Sequence, residues 1–182
     1  MTFLLAIDLW FAQLMLSLRA PFFVSVFEGV TFFGSVLAII SIAGLVALFL
    51  LFSPRRQQYL AGLVTAIVGA AATGYALKEL VARARPDGLI PAIAETGFSF
   101  PSGHSAASMA FYGFLAFLIF RLYPEYRKAA LLIAAGIIIL IGFSRLYLGV
   151  HYLSDVLAGY ALGALWLFIG IRLADRLRSS DA

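Results

Sequence analysis

The chain has no cysteine among its 182 residues, which excludes disulfide bonds and thiolate metal sites. Charged residues are also scarce, at 12% against 63% hydrophobic residues, whereas a soluble domain has about 25% charged residues. With a mean hydropathy of +1.02, the chain must bury most of its surface in lipid, so a soluble globular domain is excluded. The net charge of +4 comes from dispersed basic residues, and we therefore expect no nucleic-acid partner.

Five segments are long and apolar enough to be membrane-spanning helices, since a span needs about 20 apolar residues. They are Val24–Phe52, Leu60–Leu77, Gly103–Phe120, Ala129–Phe143 and Val156–Ile171. Residues 1–20 hold Asp8 and other polar residues among apolar ones, and they fit either an interfacial helix or a reduced first span. No cleavable signal peptide is expected, because a basic region and a cleavage site are missing. The sequence thus predicts an all-α, polytopic helix bundle of five to six spans.

The basic residues predict the orientation of this bundle. Eight of the thirteen lie in two loops and the tail, which the spans place on one side: Arg55, Arg56, Arg121, Arg127, Lys128, Arg172, Arg176 and Arg178. The positive-inside rule makes that side cytoplasmic. Three polar clusters then share the opposite, outer face, although they are far apart in sequence.

The first cluster is Lys78 and Arg85-Pro86. Seven residues are about two helical turns, so both cations are predicted to face the same way near the end of a helix that Pro86 stops. Two such cations suit an anion with several oxygens. Alternatively, both side chains only reach for lipid headgroups. Arg83 lacks this spacing and is predicted to be a plain interface charge.

The second cluster, Pro101-Ser102-Gly103-His104, is predicted to open a helix. Helix N-termini present unpaired N–H groups that suit phosphate, and Gly103 lets an oxyanion approach the backbone. Ser102 can add a hydroxyl donor, and His104 can exchange a proton near neutral pH. The alternative is an ordinary N-cap by Ser102 with an incidental histidine.

The third cluster is Ser144-Arg145, His151 and Asp155. His151 and Asp155 are four residues apart, so the carboxylate can hold one ring nitrogen and leave the other as a nucleophile. Arg145 adds a guanidinium group, whose paired N–H donors can bind two phosphate oxygens. A buried structural His–Asp pair is the alternative. We expect no metal site, because the nearby cations would repel a divalent ion.

Together the three clusters resemble the signature motifs of the type 2 phosphatidic acid phosphatases, complete and in order. Phe27–Gly34 also resembles the Thr-x-x-Gly stretch that often opens the second helix of bacterial members. The resemblance covers roughly Asp8 to the last helix. It implies that residues 1–182 form a single integral-membrane phosphatase domain of a bacterial inner membrane, with its active site facing the periplasm or exterior.

The resemblance further implies a metal-independent phosphomonoesterase or pyrophosphatase that acts through a phosphohistidine. His151 would attack phosphorus, Asp155 would orient it, and His104 would protonate the leaving oxygen and then activate water. The phosphoryl oxygens would be held by Lys78, Arg85, Ser102, Gly103, Ser144 and Arg145. The implied substrate is a membrane lipid phosphate such as phosphatidylglycerol phosphate, phosphatidic acid, lysophosphatidic acid or undecaprenyl pyrophosphate, and no cofactor is expected.

Other functions remain open at this point. The same site could pass its phosphoryl group to a lipid or sugar, which would make a phosphotransferase, or the protein could only bind anionic lipid. Members of the family generally have six spans with the N-terminus inside. Here either Thr2–Leu18 serves as a reduced first span, or five spans place the N-terminus outside, as in a piece of a longer protein.

Overall fold

The computed structural model describes residues 3–53, 56–86 and 92–180, with side chains described up to residue 178. The described residues form seven α-helices and a short 3₁₀ helix at Pro124–Tyr126, with no strand among them. The helices are α1 Phe3–Ser17, α2 Pro21–Phe32, α3 Val36–Leu51, α4 Gln58–Val81, α5 Gly103–Leu122, α6 Arg127–Tyr147 and α7 Leu153–Ser180. The predicted all-α membrane bundle is confirmed.

Four helices are long and apolar enough to cross a membrane by themselves: α4, α5, α6 and α7. Helices α2 and α3 together form a fifth candidate span, with a bend of 41° between them. The uninterrupted helix predicted over Val24–Phe52 is therefore wrong. The break lies at Gly34-Ser35, where the Ser35 hydroxyl accepts a hydrogen bond from the Ala38 amide at 3.2 Å and starts a new helix. A Cβ at Gly34 would lie 2.6 Å from Ile141 Cγ2, so the bend packs tightly against α6.

Small residues let the central helices approach one another closely. A Cβ added at Gly62 of α4 would lie 2.5 Å from the carbonyl oxygen of Gly170 in α7, so these two backbones touch. Likewise, a Cβ at Gly159 of α7 would lie 2.6 Å from the carbonyl oxygen of Ser102, just before α5. Such contacts are the usual means of helix association in lipid, where burial of apolar surface gives no net advantage. They fix the first turns of α5 and α7 side by side.

Helix α1 packs against the bundle through one face, which contains the buried residues Asp8, Ala12 and Met15. Met15 lies in a small apolar cluster with Leu146, Tyr147 and Val156, near the end of α6 and the start of α7. The opposite face is exposed and carries Trp10. Because the only charged side chain of α1 is buried against the bundle, this helix packs onto the other helices and does not only anchor the chain at the membrane surface.

Candidate active site

The three polar clusters lie at one end of the bundle, where α4 and α6 end and where α5 and α7 begin. Backbone hydrogen bonds join the segments there: the Ser102 amide donates to the Asp155 carbonyl at 3.0 Å, and the Ala92 amide donates to the Leu148 carbonyl at 2.9 Å. Among the described residues, 92–102 form the connection into α5. The fold thus gathers groups that are separated by up to 77 residues, from Lys78 to Asp155.

His151 lies in the turn before α7, and Asp155 lies in the first turn of that helix. Both side chains are buried, and His151 Nδ1 faces Asp155 Oδ2 at 3.4 Å. The same oxygen accepts a hydrogen bond from the Tyr152 amide at 2.9 Å, which fixes the carboxylate. The juxtaposition expected from the spacing is therefore present, although the histidine precedes the helix and does not lie on it.

Burial lowers the pKa of His151 to about 4, despite the opposing effect of Asp155. The imidazole is consequently neutral at pH 7. A carboxylate beside Nδ1 favours the tautomer that carries its proton on that atom, which leaves the lone pair on Nε2. This is the protonation state that a nitrogen nucleophile requires.

The Pro101–His104 segment opens α5, as the sequence predicts. Ser102 is the N-cap and is fully buried; its hydroxyl oxygen accepts hydrogen bonds from the Ser105 amide at 3.4 Å and the Ser105 hydroxyl at 3.0 Å. Gly103 is exposed, and His104 follows it on the first turn. The capping alternative for Ser102 is therefore observed, and its role in phosphate binding stays a prediction.

Arg145 is the largest buried side chain that carries a charge, with 1% of its surface exposed. Its Nη1 donates to Thr31 Oγ1 at 2.8 Å, and its Nη2 is paired with the Glu95 carboxylate. Within the described ranges, Arg145 Nε is buried and has no hydrogen-bond partner. A desolvated guanidinium with an unused N–H can bind an oxyanion. The neighbouring Ser144 hydroxyl donates to the Ile141 carbonyl at 2.6 Å, within its own helix.

The predicted helical pairing of Lys78 and Arg85 is wrong. Helix α4 ends at Val81 because Ala82 adopts a left-handed conformation, with φ of 47°, and Arg85 lies in the following segment. The two cations still converge on the connection into α5. Lys78 Nζ donates to the Phe98 carbonyl at 2.7 Å, and the Arg85 guanidinium donates to the carbonyls of Gly97 and Thr96 at 3.0 Å each.

Arg83 was expected to be a plain interface charge, and that prediction is wrong. Its guanidinium donates to Asp155 Oδ1 at 2.7 Å and to Asp8 Oδ2 at 2.8 Å, and it covers the Tyr152 ring at 4.1 Å. Burial would lower the pKa of Arg83, but the two carboxylates raise it overall. The error has a simple cause: these partners are 72 and 75 residues away, and no local spacing reveals them.

Sequence reasoning also missed Asp8 and Glu95 as parts of the site. Glu95 lies between Arg145 and Arg85, whose Nη2 is 3.6 Å from Glu95 Oε2. Burial would raise the pKa of Glu95, but the Arg145 guanidinium lowers it below the ordinary value. One signal could have identified Asp8: it is the only ionisable residue in an apolar helix, and such groups are usually kept for a function.

A cavity of about 230 Å³ opens beside these groups. Its lining includes Lys78, Gly103 and His104, together with apolar residues such as Val36 and Tyr75. Both of these apolar side chains are exposed on the lateral surface of the bundle. The cavity therefore joins the polar end of the bundle to its apolar flank.

The fold and these groups define a multi-pass membrane protein with a histidine–carboxylate pair and several cations at one end of its helix bundle. Residues 59–179 match the PAP2 superfamily. The structure superposes with a TM-score of 0.86 on the crystal structure of a transmembrane PAP2-type phosphatidylglycerolphosphate phosphatase from Bacillus subtilis. The two are 30% identical, and the match covers 93% of this chain and 85% of that one. The chain belongs to the PAP2 superfamily.

Curated relatives are similar over about half of this chain. Phosphatidylglycerophosphatase B of Bacillus subtilis is 43% identical over 96 residues, which is 51% of this chain and 47% of that protein. Lipid A 1-phosphatase of Rhizobium johnstonii is 40% identical over 97 residues, which is 48% of this chain and 36% of that protein. The chain thus matches about half or less of the length of these relatives.

Proposed function

We propose that this protein is a lipid phosphate phosphatase that hydrolyses a phosphomonoester or pyrophosphate of a membrane lipid through a phosphohistidine. The observation that carries the proposal is the neutral, buried imidazole of His151, held beside Asp155 in a cluster of cations. A protein that only bound anionic lipid would need the cations but would not need an oriented nucleophile. The names of the relatives, which are phosphatases of lipids, support the same class of reaction.

In the first step, Nε2 of His151 attacks phosphorus, a P–N bond forms and the P–O bond to the lipid breaks. His104, in its protonated form, gives its proton to the leaving oxygen. In the second step, the neutral His104 takes a proton from water, the resulting hydroxide attacks phosphorus and the P–N bond breaks. Inorganic phosphate leaves, the electron pair returns to Nε2, and His104 is protonated again.

The remaining groups stabilise the negative charge on the phosphoryl oxygens, which is the main task in phosphoryl transfer. We assign Arg145 the largest share, since its Nε is buried and has no partner in the described part of the chain. Lys78 and Gly103 line the cavity, whereas Arg85 donates to the Gly97 carbonyl and Ser102 caps α5 at the same end of the bundle. The Ser144 hydroxyl is engaged with Ile141, so we expect it to contribute least.

We further propose that the reaction needs no metal, because guanidinium and ammonium groups already supply the positive charge that a metal would add. The apolar lining of the cavity suits a substrate with a lipid tail. Phosphatidylglycerol phosphate, phosphatidic acid, lysophosphatidic acid and undecaprenyl pyrophosphate all fit that chemistry. We also propose that this end of the bundle lies at the outer face of a bacterial inner membrane, and the positive-inside rule supports that orientation.

The test is phosphate release by the detergent-solubilised protein, in EDTA, from these four lipids. His151→Ala should abolish release. Asp175→Asn is the matched control, because it removes a carboxylate paired with Arg121 at 2.7 Å at the opposite end of the bundle. Release that requires a metal, or that survives in His151→Ala, would refute the proposed mechanism. Turnover that depends on an added lipid or sugar acceptor would indicate a phosphotransferase instead.

A further inference from the structure

The carboxylate of Asp8, in helix α1, lies against the first turn of α7 beside the candidate active site. Asp8 is 1% exposed, although it lies in a helix whose other residues are mostly apolar. Its Oδ1 accepts a hydrogen bond from the Ser154 amide at 2.9 Å, and its Oδ2 accepts one from the Ser154 hydroxyl at 2.5 Å. Asp8 therefore satisfies an amide in the first turn of α7, the turn that carries Asp155, from a helix nearly 150 residues earlier.

Arg83 links Asp8 to the histidine–carboxylate pair. One of its terminal nitrogens contacts Asp8 at 2.8 Å, and the other contacts Asp155 Oδ1 at 2.7 Å and Ser154 Oγ at 2.7 Å. The second oxygen of Asp155 faces His151. Hydrogen bonds thus link Asp8 through Arg83 to Asp155, and Asp155 Oδ2 in turn lies 3.4 Å from the His151 imidazole.

From this geometry, and on the basis of the function proposed above, we infer that Asp8 is a positioning residue that acts through Arg83 on Asp155 and His151. The mechanism is electrostatic as well as geometric. When His151 attacks phosphorus its ring becomes cationic, and the carboxylate beside Nδ1 stabilises that charge. Arg83 alone would neutralise Asp155. With Asp8 present, the three groups keep one net negative charge, and Asp155 remains an effective partner for the imidazolium.

A purely structural role does not explain the arrangement. Helix α1 already docks through Ala12 and Met15, and a buried carboxylate is costly unless it is fully paired. A role in substrate binding does not explain it either, because both Asp8 oxygens are engaged by Ser154 and Arg83. What Asp8 can control is the orientation of Arg83 and how far the positive charge of Arg83 is balanced.

The kinetic test is Asp8→Asn, which keeps the shape of the side chain and removes its charge. We expect kcat to fall about 10- to 100-fold, by analogy with the loss of an outer hydrogen-bond partner of a metal-ligating histidine. KM should change by less than about twofold, because the lost interaction strengthens only in the transition state. Asp175→Asn again serves as the control, and it should leave kcat unchanged.

A double-mutant cycle tests the link between Asp8 and Asp155 itself. Once Arg83→Gln has broken the link, adding Asp8→Asn should cost little more, so the two effects should not add. Arg83→Lys should give a similar loss of kcat, since an ammonium group cannot bridge the carboxylates of Asp8 and Asp155. If Asp8→Asn does not fold, Arg83→Lys still tests the link between Asp8 and Asp155. Full additivity, or a change confined to KM, would overturn the inference.

A second readout is independent of turnover. The chain has two histidines, so His104→Gln leaves His151 as the only source of imidazole NMR signals. Asp8→Asn in that background should lower the pH at which His151 titrates and reduce the population of the Nδ1–H tautomer. The charged groups around His151 stay the same in this comparison: Lys78, Arg83, Arg85, Glu95, Arg145 and Asp155. An unchanged titration would overturn the inference. If the wild type releases no phosphate from any lipid, the proposed function fails, and the NMR comparison alone decides whether Asp8 positions His151.

Discussion

Replacing Glu95 by Gln should tighten the binding of inorganic phosphate while lowering the stability of the free protein. The Glu95 carboxylate is paired with the buried Arg145 guanidinium and lies 3.6 Å from Arg85 Nη2. It therefore occupies donors that a phosphoryl group would use, and a ligand has to displace it. Gln is similar in size but carries no charge, so it competes less well for a guanidinium.

The size of the effect follows from the strength of the displaced contact. A hydrogen bond to a charged group contributes about 1.5–3 kcal/mol when it is shielded from water. The Glu95 side chain is 26% exposed, which weakens the contact, and we take about 1–2 kcal/mol. Since 1.4 kcal/mol corresponds to a tenfold change, the inhibition constant for phosphate should fall about 5- to 30-fold.

The assay is competitive inhibition of lipid hydrolysis by inorganic phosphate, with thermal unfolding measured on the same samples. Glu125→Gln is the matched control, because Glu125 lies exposed on the 3₁₀ helix that precedes α6. The melting temperature of Glu95→Gln should fall, because Arg145 loses a charged partner while it stays buried. Weaker inhibition by phosphate in Glu95→Gln would refute the reasoning, since it would mean that the carboxylate helps to build the site.

Three further predictions concern the His151–Asp155 pair and the helix contact that positions it. Asp155→Asn should reduce kcat by several orders of magnitude in the phosphate-release assay, because a wrong tautomer of His151 cannot attack; near-full activity would show that Asp155 is not the orienting group. The pKa of His151 is lowered from 6.5 to about 4, so its NMR signals in the His104→Gln protein should stay those of a neutral ring at pH 5. The stability that the neutral His151 ring contributes should be lost as pH falls from 6.5 towards 4. Titration of His151 near pH 6.5 would contradict the argument from burial. Gly159→Ala should lower the melting temperature and the activity together, since its Cβ would lie 2.6 Å from the Ser102 carbonyl oxygen, whereas Gly136→Ala, with open space around the Cβ, should change neither.

The sequence predicted the parts of the site that depend on local spacing. The i, i+4 spacing of His151 and Asp155 was sufficient to predict that they face each other, and a Ser-Gly pair ahead of an apolar run was sufficient to predict where α5 begins. Composition and the length of the apolar segments predicted a membrane bundle of helices. Each of these features depends on residues that are close together in sequence or on the composition of long segments.

The predictions that failed depended on backbone details or on contacts between distant segments. Lys78 and Arg85 were placed on one helix because nothing in the residues before Pro86 shows that Ala82 would adopt a left-handed conformation. The bend at Gly34-Ser35 has a local signal in the Ser35 N-cap, but the close packing of Gly34 against Ile141 joins segments that are distant in sequence. Arg83 finds Asp8 and Asp155 only when α1, α4 and α7 have packed together.

The central claim is that His151 carries the phosphoryl group, and trapping that intermediate tests it most directly. In His104→Gln the second step lacks its base, whereas a substrate with a good leaving group, such as p-nitrophenyl phosphate, can complete the first step without an acid. Rapid quenching with ³²P-labelled p-nitrophenyl phosphate should therefore give an acid-labile, base-stable label on His151. The label should be absent when His151→Ala is added. Label on another residue, or labelling that persists without His151, would contradict the account.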